Sequence, residues 1–202
     1  MDNLEVNIQN QEEQQTTQGQ QTNFNEMVIM GENVEGGRLK LSSGDKVVFD
    51  VPRIWVEELC GLVKDIIEDC EDVDTAIPLT NVSTHDTLKK IIEYCEYHHD
   101  KRSPEIDRPL KESLGDVICD FDKDYIKLVD NKVTLDKFTL VNLTNAANYI
   151  NCKDLLDLCC ASIAHIIKGK SVEEIRDFFG VENDFTPEEE EQIREENKWL
   201  EE

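Results

Sequence analysis

The sequence predicts an α+β first half followed by an all-helical second half, and two observations point that way. In "GGRLKLSSGDKVVFDVP", apolar and polar residues alternate on either side of a Ser-Gly-Asp turn, and helical spacing takes over directly afterwards. From about Asp116 onward no clear strand pattern appears, and apolar residues recur at helical intervals to the end of the chain.

The elements follow in order. Residues 1–36 are rich in Gln, Asn and Glu, and their few apolar residues show no period, so a disordered tail is predicted, with a short strand only weakly signalled in "NEMVIMGENV". Leu39 and Leu41, then Val47, Val48, Phe49 and Val51, give a β-hairpin stopped by Pro52. "RIWVEELCGLVKDIIEDC" places Ile54, Trp55, Leu59, Leu62, Val63, Ile66 and Ile67 at helical spacing. "AIPLTNV" is a short strand, and "STHDTLKKIIEYCEYHH" a helix with Leu88, Ile91, Ile92 and Cys95 inward. Residues 101–115 form a charged loop with two prolines. Helices are then predicted at 117–126, 134–149, 152–167, 171–179 and 187–200. Asn151, Ser171 and Thr186 each stand three residues before an acid, the spacing of a helix cap. Pro187 occupies a first helical position, where its missing N–H costs nothing, and Glu188 to Glu191 complement the positive end of the helix dipole.

Composition narrows the partners. The 202 residues carry 21 basic and 45 acidic side chains, a formal net charge of −24. Such a chain repels a phosphate backbone and an anionic membrane surface, so neither nucleic acid nor membrane is expected as a partner. Proteins with basic or apolar faces are. Seven cysteines, an odd number without CxxC, sit mostly in apolar stretches, as buried thiols do in a reducing compartment. With no apolar leader at the N-terminus, the expected location is nucleus and cytoplasm.

The C-terminal helices divide into two kinds. "TLDKFTLVNLTNAANYI" and "CKDLLDLCCASIAHII" are apolar on more than one stripe, whereas the last two helices offer little beyond Ile175, Phe178, Phe179, Ile193, Trp199 and Leu200. Short helices that polar are marginal alone in water. Either another chain completes the surface, or the thin helices fold back over the rich pair; pattern alone leaves both open.

The run "LTNAANYINCKDLLDLCCASIAHIIKGKSVEEIRDFFGVENDFTPEEEEQIREENKW" resembles the S-phase kinase-associated adaptor family of SCF ubiquitin ligases. The matches are AANYI, KDLLDL, the KGK-S-x-EEIR turn, the NDFTPEEEE cap and ENKW, and the likeness extends back through "LKLSSGDKVVFDV" and "LKKIIEYCEYH" to residue 38. It is similar to plant-like members above all, because Pro187 fills a position often acidic elsewhere. The resemblance implies a BTB/POZ α/β part at 37–100, helices completing that fold at 116–168, and a C-terminal helical F-box-binding extension at 169–202. It further implies a non-enzymatic adaptor that needs no cofactor or metal and bridges a cullin scaffold to F-box proteins. Matched residue by residue, Asn148 and Tyr149 fall on the pair that faces the cullin. Leu156, Cys160 and Ile163 fall on the apolar face that receives the F-box, and Ile175, Phe179, Val181, Asn183 and Trp199 on the segment that wraps it. The chain departs from the family pattern in "RIWVEELCGL", in Phe121 where a Trp is usual, and in the polar Asn142 and Thr144.

Other signals are weaker. Cys95, His98 and His99 have a spacing that can serve zinc, but no second pair lies near them in sequence, and a helix end carrying His and a stray thiol is the plain reading. No GxGxxG, Walker loop, GxSxG or HExxH occurs. The rival reading is a self-associating BTB-type scaffold outside ubiquitin ligation. The same apolar surface also permits weak homodimerisation of the unbound chain.

Overall fold

In the computed structural model the described residues are 26–28, 36–69 and 75–200. Four short strands, β1 (Glu26–Val28), β2 (Arg38–Ser42), β3 (Val48–Pro52) and β4 (Ile77–Pro78), form one sheet in the order β1-β3-β2-β4. The predicted hairpin is its centre, with Leu39 opposite Val51 and Leu41 opposite Phe49, all four buried. On the other face Arg38 Nε donates to Asp50 Oδ1 at 2.6 Å. The weakly signalled strand is present as β1, parallel to β3. Apart from Gly36, the remainder of the predicted tail falls outside the described residues.

One predicted helix is two. α1 (Arg53–Glu57) and α2 (Gly61–Asp69) are separated at Glu58–Cys60, and Ile54, expected inward, is exposed. The break has a tertiary cause. The N–H groups of Gly61 and Leu62 donate to the carbonyls of Asn151 and Ile150, 3.3 and 3.1 Å away, instead of to their own preceding turn. Gly61 suits this close approach, since a Cβ would stand 2.4 Å from Asn151 Nδ2 and push that side chain aside. α3 (His85–His98) keeps its predicted inward face and adds Tyr94, and its start is capped by the Thr84 hydroxyl accepting from the Thr87 N–H.

The second half departs from the all-helical expectation at one point. The helix predicted at 117–126 is split into α4 (Leu114–Val117) and α5 (Asp120–Tyr125), followed by a minute antiparallel pair, β5 (Leu128–Val129) and β6 (Lys132–Val133). Asp130 and Asn131, both at positive φ, make its two-residue turn, which suits Asp and Asn. Strands of two residues are too short to show a period. α6 (Lys137–Tyr149) and α7 (Lys153–Ile167) pack on each other, and α6 also packs on α3. Asn151 does not cap α7 as predicted. It takes a left-handed backbone, φ 55°, in the tight α6–α7 turn, and Cys152 becomes the N-cap residue. The chain ends in α8 (Val172–Phe179), α9 (Pro187–Glu196) and a 3-10 turn at Lys198–Leu200, so the helix predicted to 200 is interrupted at Asn197.

A single core runs from the sheet through α1, α2 and α3 to α6 and α7. Among the described residues it encloses a buried His–Asp pair: His98 Nε2 lies 3.0 Å from Asp122 Oδ1, both side chains fully buried.

Candidate functional site

α7 has two faces. Leu155, Leu158, Cys159 and Ser162 are buried, and Ser162 Oγ donates back to the Leu158 carbonyl at 2.7 Å. Leu156, Cys160 and Ile163 lie on another side, at the i, i+4, i+7 spacing of one stripe. Cys160 is exposed, while Leu156 and Ile163 are half-buried and rest partly against the core. Adjacent Cys159 and Cys160 therefore point to different environments, as their position on a helix requires.

α8 and α9 contribute no buried residue at all. Both are held by local devices rather than by packing. Each begins with a full capping box: Ser171 with Glu174, and Thr186 with Glu189, with Pro187 at the start of α9. Hydrogen bonds from the Thr186 backbone N–H and hydroxyl hold the Glu189 carboxyl below its ordinary range. α8 ends at Gly180, whose φ of 68° is the left-handed conformation a helix terminus favours. The loop that follows is tied to both helices. Asn183 Nδ2 donates to Glu190 Oε1 at 2.7 Å, Arg176 Nη1 lies 3.6 Å from the same carboxylate oxygen, and the Arg176 guanidinium faces the Phe185 ring at 5.8 Å. Asn183 thus fixes the loop internally while its surroundings stay open.

The rings predicted to lack cover do lack it. Phe179 is 41% exposed, Val181 60% and Trp199 69%, and Ile175 is half-buried. Phe179 is met edge-on by its neighbour Phe178, ring centroids 5.0 Å apart. The alternative in which the thin helices fold back and seal these side chains does not hold. Val172, Phe185 and Ile193 are also exposed and extend the apolar surface beyond the predicted residues. Phe185 was visible in the sequence as an aromatic in a charged segment, but its outward direction was not.

A second surface lies on α6. Asn148 is exposed and Tyr149 half-buried at its C-terminal end. Phe138, at the other end, is 68% exposed and was missed. With exposed Asn142 and Asn145 it leads to Tyr149 along one helical face, so the sequence did carry a signal: one apolar residue on the otherwise polar stripe.

Cys95, His98 and His99 do not converge on a common point. His98 is engaged by Asp122 and by the Lys101 carbonyl, and His99 Nδ1 lies 2.6 Å from the Glu96 carbonyl of its own helix. The Cys95 sulfur faces inward, 3.7 Å from that of Cys60.

Comparison with known proteins agrees with this layout. Residues 38–100 match the family domain described as "Skp1 family, tetramerisation domain", and residues 153–200 match "Skp1 family, dimerisation domain". The "SCF ubiquitin ligase complex protein SKP1a" of Dictyostelium discoideum is 43% identical over 163 residues, covering 81% of this chain and 95% of that protein. The "S-phase kinase-associated protein 1 homolog" of Tetrahymena thermophila is 43% identical over 166 residues, 82% of this chain and 95% of that one. The "Skp1-related protein" of Caenorhabditis elegans is 42% identical over 168 residues, 81% and 91% of the two chains. Likeness of that strength along nearly the full length of each relative shows that this chain belongs to the Skp1 family.

Proposed function

We propose that the chain is a non-enzymatic adaptor of an SCF-type ubiquitin ligase, joining a cullin scaffold to F-box substrate receptors through a BTB/POZ-type body and a C-terminal receptor-binding extension. The observation that carries this reading is the uncovered apolar surface of the last two helices: Phe179, Val181, Phe185, Ile193 and Trp199 all face outward on segments with no buried residue. Large rigid rings this exposed to water suit a surface that another polypeptide covers. In this reading Leu156, Cys160 and Ile163 form the floor of the receptor site, and Ile175, Phe179, Val181, Asn183 and Trp199 close over the docked helix. Asn148 and Tyr149 meet the cullin, and Phe138 extends that contact along α6.

The extension is also strongly acidic, with 13 acidic against 4 basic side chains from Gly169 to Glu202. A receptor with basic residues around an apolar centre is the complement, and its association rate falls as salt rises.

The test is co-expression of the full chain with an isolated F-box domain. A soluble one-to-one complex is expected, weakened at least about tenfold by Phe179→Ala/Trp199→Ala, as for loss of interface anchors, with the body's melting temperature unchanged. Undiminished binding by that variant would move the receptor site elsewhere. Asn148→Lys/Tyr149→Lys separately abolishes binding to a cullin N-terminal fragment while leaving the F-box complex intact. Were the cullin fragment to bind the variant and wild type alike, the α6 assignment would fail.

A further inference from the structure

Three cysteines far apart in sequence meet inside the core. Cys60 lies in the break between α1 and α2, Cys95 on α3, and Cys152 at the N-cap of α7. All three are buried, and their sulfurs lie within 4.8 Å of one another, with Cys60 and Cys95 at 3.7 Å. We propose that Cys60, Cys95 and Cys152 form a binding site for one soft monovalent metal ion, copper(I), held by three sulfurs. This site is buried in the core and does not rest on the adaptor reading.

The geometry fits a metal better than a disulfide. A disulfide requires sulfurs about 2.0 Å apart, and it would use only two of the three. At a metal–sulfur length of about 2.3 Å, a trigonal plane has sulfur–sulfur edges of about 4.0 Å, the scale of the observed cluster. The backbone around the site is fixed without the ion. Gly61 and Leu62 donate to Asn151 and Ile150, which ties the Cys60 segment to the Cys152 segment, and the Cys152 N–H donates to the Ala147 carbonyl at 2.9 Å. Such a cradle needs little rearrangement to load.

The donor set selects the ion. Three thiols with no oxygen or nitrogen donor suit a soft cation. Zinc in a closed site takes four ligands, and the imidazole one turn along α3, His98, has both nitrogens engaged by Asp122 and the Lys101 carbonyl. Among the described residues no fourth donor joins the cluster. Cys152 stands at the positive end of the 15-residue α7, which favours negative charge on the loaded site. Loading changes no oxidation state. Thiol protons leave to solvent as sulfur–copper bonds form.

The full chain, reduced and refolded without oxygen in one equivalent of copper(I) buffered by a competing chelator, is expected to retain one copper after desalting. X-ray absorption of that sample should show three sulfur neighbours. Cys152→Ala should lower copper affinity by more than the roughly hundredfold seen when even an outer-shell partner is lost. A variant outside the cluster, Cys119→Ser, should bind copper as wild type does. Retention of copper by Cys152→Ala, loss in Cys119→Ser, nitrogen or oxygen neighbours in the absorption spectrum, or zinc held in preference would each overturn the proposal. The absorption measurement needs no variant, so it decides even if Cys152→Ala folds poorly.

Discussion

His98 has both ring nitrogens facing acceptors: Nε2 lies 3.0 Å from Asp122 Oδ1 and Nδ1 2.7 Å from the Lys101 carbonyl. A neutral imidazole donates through one nitrogen only, so this site prefers the cation. Burial pushes its pKa down, but the hydrogen bonds to Asp122 and Lys101 outweigh it, and the folded value is raised. The surrounding groups are the Ser103 hydroxyl on the other Asp122 oxygen, the rings of Tyr94, Tyr97 and Phe121, and the more distant Asp154 carboxyl. A raised folded pKa gives stability that is full below the unfolded value of about 6.5 and is lost as pH rises through the folded value. The difference in urea midpoint between wild type and His98→Gln should therefore shrink from pH 6 upward, and a difference that grew with pH would refute the charged assignment. At low pH the variant should lose about 3 kcal/mol, as when one member of a buried pair is removed. Gly61 supplies a second test. Gly61→Ala drives a Cβ into the Asn151 side chain and should cost about 1–3 kcal/mol, whereas Gly61→Ala/Asn151→Gly should recover most of it, because glycine accepts the left-handed backbone at 151. Independent, additive losses would show that the two residues do not meet. Neither contact was legible in sequence. His98 read only as a histidine at a helix end, and its partner lies 24 residues away on another element.

At the scale of elements, α9 is the clearest case of a helix made by its ends. Its first turn carries Glu188, Glu189 and Glu190, the Thr186 hydroxyl accepts from the Glu189 N–H, and nothing in its body is buried. Thr186→Ala should therefore cost about 1 kcal/mol of local helix stability. Because the helix is not part of the core, the loss should appear as reduced helicity and about fivefold weaker receptor binding, with the main melting transition unmoved. A lowered main transition would mean that α9 is part of the cooperative body. These caps were readable because a capping box is a pattern of four consecutive residues, and so was the hairpin at 38–52, whose alternation sets its own register. What pattern could not supply was tertiary competition. The break at Glu58–Cys60 exists because Gly61 and Leu62 find carbonyls on a remote turn, and Asn151 lost its capping role to that same turn. The outward direction of α8 and α9 was inferred from their thin apolar content, whereas Phe138 escaped because an apolar residue in a rich helix reads as core.

The whole molecule combines two levels of stability in one chain. The sheet and α1 to α7 share a continuous core, so their innermost amides, such as those of Leu88 to Cys95, should exchange only by global unfolding. α8 and α9 bury no residue fully, so opening them exposes little new apolar surface and costs little. Repulsion within a chain of net charge −24 favours that opening further, most of all at low ionic strength. Amides in 172–179 and 187–196 are therefore expected to exchange fast in the free chain, somewhat slower in high salt, and to become protected when an F-box domain binds. Fluorescence offers a parallel reading, because the two tryptophans report on different levels: Trp55 is buried, whereas Trp199 is largely in water. In a Trp55→Phe chain the remaining emission should be that of a hydrated indole and should move to shorter wavelength on receptor binding. If the free chain already showed core-like protection through α9 and a blue-shifted Trp199, its own atoms would be covering the surface, and the partner's contribution would have to be sought elsewhere.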